Sequence, residues 1–140
     1  MSNSDTLNAS YRENTGLSLW LGRALTFLVV LLLIADGILQ IIRPAFLVEA
    51  MQHTGYNPAD GPLIAVVTLT SAILLAIPRT AVLGAILVTG FLGGAIAAHV
   101  RIGEIGVPDQ FICLALGIAT WGGLYLRDAR VRDLLPLRRI

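Results

Sequence analysis

The chain has 140 residues, of which 56% are hydrophobic and only 14% charged, whereas a soluble domain carries about 25% charge. Its apolar residues fall in long blocks, and its mean hydropathy is +0.78, so a water-solvated fold is excluded and lipid is the expected solvent. The formal charge of +1 conceals a strong asymmetry, because all ten basic residues are Arg and they are unevenly spread.

Met1–Thr15 is polar and is expected to fray, leaving residues 1–17 as a flexible N-terminal segment. The first span is expected at about Leu19–Ile42. It is too long, and too far from the start, for a cleaved signal peptide. Phe27–Ala35 has no polar side chain, and then comes Asp36. A carboxylate at membrane depth costs roughly 2.5–3.5 kcal/mol on insertion scales, so it tends to face a bundle interior or a polar cavity and to have a partner. Asp36 lies about 9 Å below the outer end of its helix. Gln40 follows one turn later on the same face. Arg43-Pro44 ends the helix. Apolar residues at 46, 47, 50 and 51 then predict a short interfacial helix over Ala45–Thr54, stopped by Gly55 and Pro58.

The second span is predicted at about Pro62–Ile77 and carries Thr68, Thr70 and Ser71. These hydroxyls either donate to Asp36 or bond their own helix. Pro78-Arg79-Thr80 makes a tight helical hairpin, since Pro78 disfavours the helical conformation at Ile77 and can itself begin the next helix. The third span, about Thr80–Val100, places Gly90, Gly94 and Ala98 on one face, with Gly93 beside them and Gly84 further back. Small residues at this spacing predict a close helix–helix contact, within the chain or between copies of it. The fourth span, about Gln110–Leu126, holds the single cysteine, Cys113, which excludes an internal disulfide. Trp20, Trp121 and Tyr125 sit near one boundary as interfacial anchors, and Trp121 is also a candidate ligand contact. Residues 18–127 thus form one four-span domain, followed by a basic tail over 128–140. The fold class is an all-α transmembrane four-helix bundle with a short interfacial helix between the first two spans.

In this arrangement eight arginines fall on one side and only Arg43 and Arg101 on the other. The positive-inside rule then puts both termini in the cytoplasm. The tail is suited to anionic lipid. Nucleic acid is a poor partner for it, because its arginines alternate with Asp128, Asp133 and apolar residues.

The outer end gathers Asp36, Gln40, Glu49, His53, His99, Arg101 and Glu104. A pocket open toward the outer leaflet would hydrate them. Asp36 paired with His99 or Arg101 would satisfy the carboxylate, and a carboxylate–imidazole pair can move protons. The competing reading makes Asp36 interhelical glue, bonded to a backbone group or to a hydroxyl of a neighbouring span. No nucleotide, haem or metal motif is present, so neither cofactor nor metal is expected.

The run from Ile77-Pro78-Arg79-Thr80 through Thr89-Gly90-Phe91-Leu92-Gly93-Gly94 to His99-Val100-Arg101 resembles the DoxX-like family of small four-helix bacterial membrane proteins. Asp36-Gly37, Trp121–Asp128 and Leu134–Arg139 fit the same pattern, so the resemblance covers roughly residues 19–139. It implies a membrane four-helix bundle. The wider DoxX group is associated with quinone-linked sulfur oxidation and oxidative-stress complexes. Asp36, His99 and Arg101 carry over, but Thr68 stands where the family commonly has a glutamate, which weakens a two-carboxylate mechanism. Two functions follow as expectations. One is acid–base chemistry (isomerisation, cyclisation or epoxide opening) on a small lipophilic molecule, with Asp36, His99 and Arg101 catalytic and Gln40, Thr68, Glu104 and Trp121 binding. The other is a non-catalytic subunit that binds a quinone or a protein partner, with a homo-oligomer contact through the glycine-rich third span.

Overall fold

The computed structural model describes the backbone of residues 3–134 and the side chains of residues 16–133. Its elements are α1 (Asn3–Ile42), α2 (Ala45–His53), a 3-10 turn at Pro58–Asp60, α3 (Gly61–Ala76), α4 (Ala81–Arg101), α5 (Pro108–Arg127) and α6 (Ala129–Leu134). Among the described residues there is no strand. Four helices, with apolar stretches at Gly16–Ile42, Pro58–Ala76, Ala81–Arg101 and Pro108–Arg127, are long and apolar enough to cross a membrane. α1 already begins at Asn3, so its helix takes in most of the polar stretch expected to fray. A formed span is a nucleus to which further residues add at little cost. Residues 135–140 of the basic tail lie outside the described residues.

α1 packs against α3 and α5, and α4 packs against the same two helices. The bundle is therefore a ring in chain order, with α1 and α4 across the diagonal. Short connections force this order, since consecutive antiparallel helices become neighbours. The interior is filled by Val29 and Leu33 of α1, Ala72 and Leu75 of α3, Ala85 and Val88 of α4, and Leu124 of α5. Phe27, Phe111 and Ile118 point outward and stay well exposed, as a lipid-facing surface requires.

The hairpin end of the bundle is tight. A Cβ on Gly84 would strike the backbone of Leu75, and one on Gly22 would lie 2.8 Å from the carbonyl oxygen of Gly123. Here the small residues let helices touch backbone to backbone. The C-terminus of α3 ends against polar caps: Thr80 Oγ1 donates to the Leu74 carbonyl at 2.9 Å, and Arg127 Nη2 to that of Leu75 at 3.2 Å. Both satisfy carbonyls that the last turn leaves unpaired.

Candidate functional site

At the opposite end, α3 and α4 do not touch in this way. Gly90, Gly93 and Gly94 are exposed, and a Cβ on any of them would meet nothing within 4 Å. The expected helix–helix contact within the chain is therefore absent at these glycines. The stripe instead forms one wall of a cleft of about 580 Å³. Leu63, Ile64 and Val67 of α3 make the facing wall, Leu47, Ala50 and Met51 of α2 roof it, and Gln40 of α1 lies at its inner side. The spacing of small residues is the same for a tight contact and for an open wall, so the sequence pattern does not separate them.

The cleft is apolar along its length and polar at one end. There Glu104 joins two histidines: His53 Nε2 lies 2.7 Å from its Oε1 and His99 Nδ1 lies 2.7 Å from its Oε2. The hydrogen bond from His53, then that from His99, holds the Glu104 carboxyl below the usual carboxylate range. An ionised Glu104 only accepts, so both of these ring nitrogens donate to it. His99 Nε2 is left facing the carboxylate of Asp109 at 3.7 Å, beyond hydrogen-bond distance. That nitrogen can take a proton from, or return one to, a molecule in the cleft, while Glu104 orients the ring.

Gln110 fixes this end. Its Oε1 accepts from the Gly106 backbone at 2.7 Å and its Nε2 donates to the Glu104 carbonyl at 3.0 Å, which pins the loop that carries Glu104. Asp109, Gln110, Met51 and Tyr56 were not singled out from the sequence. An acid and an amide just after Pro108 were the available signal for the first two.

Asp36 does not pair with His99 or Arg101. It sits on α1, diagonal to α4, and its hydrogen-bonding neighbours are Thr68 of α3 and Gln40 of its own helix. Thr68 has one hydroxyl proton and also approaches the Ile64 carbonyl at 3.0 Å. Asp36 Oδ2 and Gln40 Oε1 are buried without a hydrogen-bond partner. The geometry thus matches the alternative reading of Asp36, as a link between neighbouring helices. Gln40 is the member of this cluster that reaches the cleft.

Arg101 donates to the carbonyl of Thr54 at 2.7 Å, so it caps the C-terminus of α2 rather than facing Asp36. Trp121 lies away from the cleft. Its indole nitrogen donates to Thr89 Oγ1 at 2.9 Å and ties α5 to α4. Among the described residues no group of three or more His, Cys, Asp or Glu side chains is arranged to hold a metal ion.

The family whose sequence model matches this chain is described as the DoxX-like family, over residues 24–123. No curated protein and no solved structure matches.

Proposed function

The chain belongs to the DoxX-like family, and from that premise we propose that it binds a small lipophilic molecule, taken from the bilayer into the cleft between α3 and α4. The single observation that carries this reading is the union of apolar walls, an open glycine face and one polar end in the same cavity. Ligand sites commonly join a mostly apolar lining to a few convergent polar groups. The tail of the ligand lies along Gly90 and Gly94, and its polar head meets His99. With Glu104 orienting the ring, His99 is the general acid–base group of an isomerisation, cyclisation or ring opening that needs no cofactor. The eight-to-two arginine distribution supports an orientation with this end on the outer face of a bacterial cytoplasmic membrane and both termini inside.

A diazirine-bearing fatty alcohol in proteoliposomes tests the reading. Labelling is expected on Met51 and Phe91 of the cleft and is lost in Gly94→Leu. Labelling spread evenly over lipid-facing residues such as Phe27 and Phe111 overturns it.

A second reading draws on the exposure of Gly90, Gly93 and Gly94, a face that also suits a helix from another copy. The mass of the purified particle separates the two. A single chain per particle removes the oligomer, and a dimer dissociated by Gly94→Leu supports it.

A further inference from the structure

We propose that α2 is a hinged cap, clasped shut by Glu104 and Arg101, that closes the cleft toward the loop face of the bundle. The inference rests on the cleft reading and adds a second entrance to it. The first entrance is lateral and stands open beside Gly90 and Gly94.

α2 differs from the other long helices in how it is held. Its closest backbone packing is on the 3-10 turn, not on a spanning helix. Its underside nevertheless covers the cleft, with Met51 only 5% exposed. The helix is flanked by two residues in the left-handed region, Arg43 at φ 53° and Gly55 at φ 78°. A non-glycine residue there is uncommon and strained, and such positions serve as hinges when an element moves.

Two polar ties hold the far end of α2. His53, its last residue, bonds Glu104, which is itself bonded to His99 of α4. Arg101 Nη2 donates to the Thr54 carbonyl, one of the unpaired carbonyls at the helix C-terminus. The guanidinium of this tie passes close to Gly55, where a Cβ would lie 2.7 Å from Arg101 Nη2 and where the positive φ already favours glycine. Both ties are polar contacts at the loop face, the kind that opens more readily than a packed apolar seam. A cap of this kind lets a lipophilic substrate arrive from the bilayer while a water-borne reactant or a polar product crosses by the other side.

Ala98 reports on the cap. It lines the cleft and is 7% exposed. Ala98→Cys in a Cys113→Ala background leaves one thiol, and a charged, membrane-impermeant methanethiosulfonate measures its access from water. Glu104→Gln and Arg101→Gln, each added to this background, are expected to speed labelling on the order of tenfold, the scale of losing one charge-assisted bond. A rate equal to that of the intact clasp in both variants overturns the cap. The assay contains no ligand, so its failure leaves the cleft reading standing, and a failure of photolabelling leaves the cap standing.

Discussion

The two ends of this bundle use glycine in opposite ways. At the hairpin end, Gly84 and Gly22 are spaces already filled by a neighbouring backbone. At the α2 end, Gly90, Gly93 and Gly94 are spaces filled by nothing in the chain. Both sets lie on membrane helices among apolar neighbours, and only the open set, Gly90 and Gly94 with Ala98, repeats at the small-residue spacing of a helix contact. What separates them is what each set faces, a neighbouring backbone at the hairpin end and the cleft at the other. A close seam supplies stability, and an open one supplies a binding surface.

The largest expected effect probes the tight end. Gly84→Leu forces a side chain against the backbone of Leu75, which cannot give way as a side-chain tip could. A loss of about 3 kcal/mol is expected, read as a fall in Tm and in folded yield. An unchanged Tm would remove the contrast between the two ends.

Asp36 lies between these regions and sharpens the comparison. Asp36→Leu removes the acceptor that faces the Gln40 amide, at an expected cost of about 1–3 kcal/mol, while Thr68 keeps its bond to the Ile64 carbonyl. Asp36→Asn supplies an amide donor for the unpartnered Gln40 Oε1 and is expected to leave Tm nearly unchanged. Equal destabilisation by both substitutions would mean that the charge itself, not the hydrogen bonding, is what the bundle needs.

The smallest effect belongs to the polar end and depends on pH. His53 and His99 depress the Glu104 carboxyl. A group whose folded value is depressed stabilises the fold above its unfolded value and loses that contribution as pH falls through the folded one. The groups that face it are His53 on α2, His99 on α4 and, beyond His99, Asp109 on α5. The difference in Tm between the natural chain and Glu104→Gln is therefore expected at neutral pH and closes below the ordinary carboxylate range. A difference that persists into strong acid would contradict the clasp.

The four spans and α2 were legible because length, Pro78 and the Arg43-Pro44 break act locally, although Pro78 stays in the turn and α4 begins at Ala81. The sequence reading ended α2 at Thr54, and the helix ends at His53. That Asp36 meets Thr68 and Gln40, and not the expected His99, was not legible in the same way. It depends on which helices are diagonal, and hydropathy carries no information on that. Seven ionisable or amide groups were expected at one level. The ring order leaves two of them, Asp36 and Gln40, linked to Thr68, and joins three others, His53, Glu104 and His99, in a separate chain. Glu104 was expected among the binding residues, and its bonds to both histidines were not foreseen, since they depend on how Gln110 pins its loop.

The most direct test of the account is native mass spectrometry of the detergent-purified protein beside Gly94→Leu. A Cβ at this exposed position meets no atom within 4 Å, so stability is expected to hold within about 0.5 kcal/mol, read as an unchanged Tm. The natural chain is expected to retain a co-purified small lipophilic molecule, and Gly94→Leu to lose it at unchanged stability. A molecule retained equally by both proteins, or a variant that loses stability along with its ligand, would contradict the claim that the open glycine face is a binding wall.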